Sequence, residues 1–402
     1  MKNILHVSYS KAGGAGSVAN RLASAQAHLK NYQSRFLYSS EGSVRSKPFE
    51  NMTLTARSLV DEYLVKRKEW PTLFSFYRNM QNNKIEELVR AHAGIVHLHW
   101  LNGILENKKL VNYALNGKKI VWTIHDMEPF TGGCHSSINC RNFEKTCAKC
   151  PAVRSLFASR ITQTKTQKNA YSTHLDKISY VFPSKWLLDN FKLGFPNKPL
   201  NLEIIPNPLP NLFFQEIDKS KLKNNKSEAF VLGFVCRDLN DSIKQFKSVV
   251  DSLQEVSFII ERPLKLIAVG SKYKNFPKRL NFEIYQPGLV SNPVHLRELY
   301  SKMDLFISNS ISESFGLTIA EAAACGVPSL VLRGTGSSEL VIDNKTGILI
   351  DDHSDLTKKI LTMASHDSFR LNLGSNAKSN SIKQWHIDSI IKKYDSVYES
   401  LN

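Results

Sequence analysis

Two glutamates stand eight residues apart in the run Glu313-Ser314-Phe315-Gly316-Leu317-Thr318-Ile319-Ala320-Glu321, which continues through Ala322-Ala323-Ala324-Cys325-Gly326-Val327-Pro328. The apolar run Leu305 to Ser308 before it reads as a strand, and a helix is expected to begin near Phe315. Backbone N–H groups at such a helix start bind anionic oxygens. Residues eight apart lie roughly 80° apart around a helix, so both carboxylates face one ligand if the helix starts between them. Glu313 would then accept from one set of hydroxyls and Glu321 from another. The competing reading is an acidic cap followed by a solvated helix glutamate.

Cysteines give a second pattern. Of the 6 in the chain, Cys134, Cys140, Cys147 and Cys150 fall together as C-x5-C-x6-C-x2-C and end in a CxxC pair. Four thiolates suit tetrahedral zinc in a structural role, with His135 as an alternative ligand. Free thiols and disulfides are the other two readings, and a reducing compartment disfavours the disulfides. His97, His99 and Trp100 follow a strand-like run; the two histidines share one face by strand alternation. Packing or a backbone bond accounts for either ring, while His99 also lies near the carboxyl end of its strand. Gly13, Gly14 and Gly16 allow close approach between a first strand and helix, but their spacing is not the GxGxxG of a dinucleotide fold.

The elements that must hold these residues alternate. Ile4-Leu5-His6-Val7, Ile95 to Leu98, Ile120 to Ile124 and Tyr180 to Phe182 are strand candidates separated by helix-length segments. Val18, Leu22, Ala25 and Leu29 mark the first helix by their spacing. The rhythm restarts after Ile204-Ile205-Pro206-Asn207-Pro208-Leu209-Pro210, whose prolines read as a linker. A polar loop, Lys219 to Ser227, follows, and then strands at Phe230 to Val235, Leu264 to Gly270, Leu305 to Ser308 and Pro328 to Leu332. An apolar stripe of Ile387, Ile390, Ile391, Tyr394, Val397, Tyr398 and Leu401 closes the chain as a helix. Strands alternating with helices imply parallel sheets, hence two α/β, Rossmann-like doubly wound domains with a cleft between them. Their ligands bind at the carboxyl ends of the strands.

Composition excludes several classes. The 402 residues allow two or three domains at ~150 residues each. An apolar content of 42% is that of a globular chain. No run reaches the ~18 apolar residues of a membrane span, and the start is too short and polar for a signal peptide. The expectation is a soluble, cytoplasmic protein. The net charge of +17 is uneven: residues 1–200 carry 29 basic and 13 acidic side chains, and residues 201–402 carry 24 and 23. A basic half attracts nucleic acid, anionic lipid or an anionic small molecule. The stretch Val65 to Arg78 mixes cations with aromatics, which suits an anionic membrane surface or a core helix with a charged outer face.

The Glu-x7-Glu run resembles the signature of retaining nucleotide-sugar glycosyltransferases of family 4, which have the GT-B fold. Gly13-Gly14-Ala15-Gly16 is similar to that family's N-terminal glycine loop, and Thr123-Ile124-His125-Asp126 to the segment bearing its active-site histidine. The hinge Ile205-Pro206-Asn207-Pro208 and the last helix fit as well, so the resemblance covers essentially the whole chain. It implies an acceptor-side domain over 1–205 with a Cys-rich insertion at 132–151. A nucleotide-sugar domain would follow over 206–380, with a helix at 381–402 packing back on the first. Cys-rich insertions around T-G-G-C-H are similar to those of the colanic-acid and exopolysaccharide type.

Residue by residue, the resemblance places Glu313 on donor-sugar hydroxyls, with Ser314, Phe315, Gly316 and Leu317 around the sugar or its phosphates. Glu321 would hold the ribose and His125 would sit near the anomeric carbon. Arg237 and Lys244 would clamp the diphosphate, although the family usually has this basic pair closer together. Gly13, Gly14 and Gly16 would lie near the diphosphate or acceptor. No metal is required for catalysis. The implied partners are a nucleotide diphosphate sugar and a glycan or lipid-linked acceptor, with peripheral contact at the inner face of an anionic membrane and no nucleic acid. The rivals are a GT-B epimerase of the nucleotide sugar, a zinc-containing nucleic-acid-binding protein and a degenerate transferase serving as scaffold.

Overall fold

The computed structural model describes residues 1–39, 65, 70–75, 83–101, 104–195, 201–216 and 229–401. Asn102, Gly103, the loop Lys219 to Ser227 and, within the cationic–aromatic stretch Val65 to Arg78, residues 66–69 and 76–78 lie outside them. The chain divides into two compact units, Met1–Pro208 with Ile390–Asn402, and Leu209–Ser389. No described helix is long and apolar enough to cross a membrane.

The first unit is a six-stranded parallel sheet of β1 (Lys2–Ser8), β2 (Tyr32–Tyr38), β3 (Ile95–Leu98), β4 (Ile120–Thr123), β5 (Ser179–Phe182) and β6 (Leu202–Ile204). Its order is β2-β1-β3-β4-β5-β6. Inner strands such as β3, β4 and β5 are buried along their whole length, as strands covered on both faces must be. The helices are α1 (Gly13–Ala27), α2 (Asn83–Ala91), α3 (Asn107–Leu115), α4 (Ala158–Tyr171) and α5 (Lys185–Gly194). Winding starts at β1, runs outward to β2 and then reverses to β3, so the switch point of this sheet lies between β1 and β3.

Helix α1 departs from the spacing read in the sequence. Val18 and Leu22 are buried, but Leu29 lies beyond the helix end and is 39% exposed. Gln26 is the fully buried residue of the last turn instead. At the other end, Gly16 is required by packing: a Cβ there would stand 2.2 Å from the Ser10 carbonyl oxygen. Gly13 has φ +79°, whereas a Cβ at Gly14 would meet nothing within 4 Å.

The second unit repeats the plan. β7 (Phe230–Val235), β8 (Leu264–Val269), β9 (Glu283–Gly288), β10 (Leu305–Ser308), β11 (Ser329–Leu332) and β12 (Gly347–Ile350) form a six-stranded parallel sheet ordered β12-β11-β10-β7-β8-β9. Helices α6 (Phe246–Val256), α7 (Pro293–Ser301), α8 (Leu317–Ala324), α9 (His353–Ser365) and α10 (Asp367–Trp385) accompany it. Its switch point lies between β7 and β10. The chain closes with α11 (Ile387–Glu399), separated from α10 by His386 in an extended conformation. From Ile390 onward α11 belongs to the first unit, where Tyr394 and Tyr398 are buried.

Candidate functional site

In the second unit the residues meet at the switch point. After β7 the chain makes a short helical turn, Ser242–Lys244, capped by Asp241, whose side chain accepts from the Ile243 N–H at 2.9 Å. The next residue, Gln245, has φ +55° and starts α6. After β10, Ile311 N–H donates to Ile243 C=O at 3.0 Å, and Asn309 Nδ2 donates to Ser248 Oγ at 2.6 Å. The two loops are thereby tied together, and Lys244 Nζ donates to Glu313 Oε2 at 2.6 Å. Burial draws the Lys244 pKa down, but the Glu313 and Asp241 carboxylates outweigh it and hold the ammonium above its ordinary value. Arg237, on the same loop, is exposed. Thus Lys244 and Glu313 are brought together, while no partner of the Arg237 side chain is described.

The helix expected near Phe315 starts two residues later and between the two glutamates, the condition set for both to face one ligand. Helix α8 starts at Leu317, so Glu313 lies in the loop four positions before it and only Glu321 is helical. Glu321 Oε2 accepts from the buried Tyr300 hydroxyl at 3.0 Å. Burial and that carboxylate push the Tyr300 pKa far up, which keeps it a donor. Gly316 caps α8 at φ +95°, and a Cβ on it would stand 2.9 Å from Ile319 Cδ1 and 3.1 Å from Ser337 Cβ. Phe315 is buried in the apolar cluster beneath, which anchors the turn carrying Ser314, Gly316 and Leu317. An ammonium, a carboxylate and the first-turn amides of a helix therefore lie on neighbouring loops, donors suited to phosphate oxygens beside acceptors suited to hydroxyls.

In the first unit, a cavity of about 320 Å³ opens at the carboxyl ends of β3 and β4, lined in part by His99, Trp100, Trp122, His125, Asp126 and Lys168. His125 Nε2 lies 3.1 Å from His99 Nδ1, and His99 Nε2 lies 3.1 Å from His6 Nδ1. His6 Nε2 is 2.8 Å from Gln26 Oε1. His97 takes a separate route, with Nδ1 at 2.8 Å from the Tyr398 hydroxyl and Nε2 at 2.8 Å from Thr123 Oγ1. Burial lowers the pKa of His6 and of His125 to about 4, and those of His97 and His99 well below the ordinary value. The rings are neutral at pH 7. Ligand nitrogens of His6, His97 and His99 lie within 4.8 Å of one another, a spacing that suits a metal, yet every one of these ring nitrogens already has a hydrogen-bond partner.

His135 differs. Its Nδ1 is 2.7 Å from Asp126 Oδ2 and its Nε2 is 2.8 Å from Ser75 Oγ. Burial lowers its pKa, but Asp126 more than compensates and the net shift is upward. Lys168, also buried, donates to the carbonyl oxygens of Glu128 and Thr131, holding the Glu128–Phe130 turn that leads into the cysteine segment. Sequence reasoning did not single out Gln26, His6, Tyr300 or Lys168. For His6 the signal was a histidine on an otherwise apolar inner strand.

The four cysteines for which zinc was expected lie in the segment between β4 and α4. All are free thiols, and none belongs to a described group of three or more ligand atoms within 4.8 Å of one another. Cys147 is buried, while Cys134 and Cys150 pack against the same apolar core. Burial pushes the Cys134 and Cys147 thiols up and that of Cys150 to about 11. In this geometry they pack as small apolar side chains.

The chain has the GT-B fold, with two parallel-sheet Rossmann-like units. Residues 215–380 match the family model of glycosyl transferases group 1, so the Lys244–Glu313 pair, the α8 turn and Glu321 all lie in a domain of that type. The chain is 25% identical over 160 residues to N-acetyl-alpha-D-glucosaminyl L-malate synthase of Bacillus anthracis, covering 39% of this chain and 42% of that relative. It is 25% identical over 358 residues to an uncharacterized glycosyltransferase of Methanocaldococcus jannaschii, covering 85% and 93%. The structure of Anabaena HepE in complex with UDP superposes with a TM-score of 0.64 at 17% identity over 100% of both chains.

Proposed function

We propose that the chain is a retaining glycosyltransferase that moves a sugar from a nucleotide diphosphate donor to a hydroxyl of a glycan acceptor, lipid-linked and destined for a cell-surface polysaccharide. The observation that carries this reading is the Lys244–Glu313 pair at the β7–β10 switch point, 2.6 Å apart within the matched domain. Lys244 has three N–H donors and spends one on Glu313, leaving capacity for a diphosphate. Glu313 accepts from sugar hydroxyls, and Glu321, fixed by Tyr300, accepts from the ribose. As the glycosidic bond breaks, negative charge builds on the leaving diphosphate. Lys244, Arg237 and the α8 amides are the groups that stabilise it. No metal is needed for this step.

Retention follows in this reading from attack on the face the leaving group departs from, with a departing phosphate oxygen taking the acceptor proton. His125, neutral at pH 7, then orients a hydroxyl and does not act as the base. Trp100 and Trp122 in the wall of the first unit's cavity offer apolar faces to a sugar acceptor, beside Asp126 and Lys168. The charge surplus of residues 1–200 suits contact with an anionic membrane surface on the cytoplasmic side. The matched family and the relatives' names support transfer over epimerisation of the nucleotide sugar or nucleic-acid binding.

UDP is the first nucleotide to try, because HepE was solved with it. The test is incubation with UDP-sugars and a lipid-linked glycan acceptor, reading nucleotide release and the anomeric configuration of the product by NMR. Acceptor-dependent release with retained configuration supports the reading. Release with inverted configuration, or none with any nucleotide sugar, contradicts it.

A further inference from the structure

The histidines of the first unit form a continuous chain from the buried face of α1 to the cavity: Gln26, His6, His99, His125. Each link restricts the next. A Gln carbonyl oxygen only accepts, so His6 Nε2 must carry a proton and donate to Gln26 Oε1 across 2.8 Å. A neutral imidazole has one N–H, so His6 Nδ1 is bare and accepts from His99 Nε2–H at 3.1 Å. By the same rule His99 Nδ1 is bare and accepts from His125 Nε2–H at 3.1 Å. Two further contacts accompany this orientation of the amide, with Gln26 Nε2 donating to the Tyr398 hydroxyl at 3.4 Å and the Ser34 hydroxyl donating to Gln26 Oε1 at 3.4 Å.

We propose that Gln26, His6 and His99 are positioning residues that lock His125 as its Nε2–H tautomer, so that Nδ1 is offered as a hydrogen-bond acceptor to a hydroxyl-bearing ligand in the first unit's cavity. The burial of the inner links supports this. His6, Gln26 and His99 are at most 1% exposed, so no water competes for their nitrogens, and a charged ring among them would be strongly disfavoured. The ring packing restricts rotation as well: His99 stacks on His97 with centroids 4.3 Å apart and on His125 at 5.4 Å. An acceptor nitrogen selects a group with a proton to give, a sugar hydroxyl above all, and rejects an ether or carbonyl at the same place. The role given to that nitrogen rests on the transferase reading, whereas the tautomer does not.

The test is NMR of the full chain labelled with nitrogen-15 in its histidine rings. The expected result at pH 7 is ring protons on Nε2 of His6, His99 and His125, with scalar couplings across the His125 Nε2–H···Nδ1 His99 and His99 Nε2–H···Nδ1 His6 hydrogen bonds. Protons on Nδ1 of these rings, missing couplings, or a charged His125 would overturn the proposal, and the wild-type spectrum alone decides it. Gln26→Leu removes the anchor, and the His99 and His125 ring-proton signals should then broaden or split while a thermal melt reports whether the fold persists. With couplings present in the wild type, about a tenfold fall in kcat/KM for Gln26→Leu is the expected consequence in a transferase. An unchanged kcat/KM would contradict the role given to His125 in transfer and leave the tautomer standing.

Discussion

Replacing Glu313 by Gln keeps the shape and an acceptor oxygen but removes the charge that Lys244 leans on. The bond at stake is 2.6 Å long, between side chains each 27% exposed. Charge-assisted hydrogen bonds contribute about 1.5–3 kcal/mol and neutral ones about 0.5–1.5, so the variant should lose about 1–1.5 kcal/mol of stability. The second unit spans Leu209–Ser389. For a domain of that size each kcal/mol moves Tm by about 2–4 °C, so the expected fall is about 2–6 °C. Binding should move the other way. With its counter-charge removed, Lys244 attracts a diphosphate more strongly, and UDP affinity should rise about two- to tenfold. Transfer should suffer: two carboxylate bonds to sugar hydroxyls becoming amide bonds cost about 2–3 kcal/mol, a fall of about 30- to 150-fold in kcat/KM. The assay is calorimetric titration with UDP beside steady-state turnover on the same preparation. A parallel fall in diphosphate affinity and turnover, or no change in either, would refute the assignment of Lys244 to the diphosphate and Glu313 to the sugar.

Three other outcomes are expected. His6 is neutral and buried with its pKa lowered to about 4, so its contribution is present above pH 6.5 and is lost as pH falls from 6.5 towards 4. The loss is about 3 kcal/mol, and thermal melts across that window should show a shallower slope for His6→Phe than for the wild type. Gly316→Ala places a Cβ 2.9 Å from Ile319 Cδ1 at φ +95° and should destabilise by about 1–3 kcal/mol while weakening nucleotide binding; an unchanged melt would show that the turn is not constrained as described. Elemental analysis decides the zinc expectation: one zinc per chain, with a fall in Tm on chelation, supports a structural site at Cys134, Cys140, Cys147 and Cys150. Zinc well below one per chain, with Tm unmoved by a chelator, would count against it.

For all strands but β12, what the sequence revealed and what it hid follow from how many faces of the strand are covered. The eight strands legible from apolar runs are the inner strands of the two sheets, β1, β3, β4 and β5 in one and β7, β8, β10 and β11 in the other. The four that were not, β2, β6, β9 and β12, are the edges. An inner parallel strand is covered on both faces and must be apolar throughout, whereas the edge strands β2, β6 and β9 are largely exposed or half-buried and carry no such constraint; β12, with the short run GILI, is an edge that is nonetheless apolar and mostly buried. β2, with the sequence YQSRFLY, and β9, with EIYQPG, show this directly. Around the site, Glu313 and Glu321 were legible because their spacing is local. Lys244 was reached only through a family resemblance, since its meeting with Glu313 depends on how the sheet winds. The histidine chain was illegible because its links come from β1, α1, the segment after β3 and the segment after β4. The apolar spacing of α1 even pointed to Leu29, while the buried place belongs to Gln26, a polar residue that burial tolerates because His6 and Tyr398 satisfy it.

The central claim is that the second unit binds a nucleotide diphosphate through Lys244, the α8 turn and Glu321. Its most direct test is thermal stability against UDP, GDP, ADP, dTDP and CMP, repeated with Glu321→Ala. A ligand at 100 times its Kd stabilises the folded state by about 2.7 kcal/mol, a shift of about 5–11 °C for a domain of this size. The expected result is one nucleotide that stabilises the wild type and fails to stabilise Glu321→Ala. Stabilisation by none of the five, or equal stabilisation of the variant, would contradict the site.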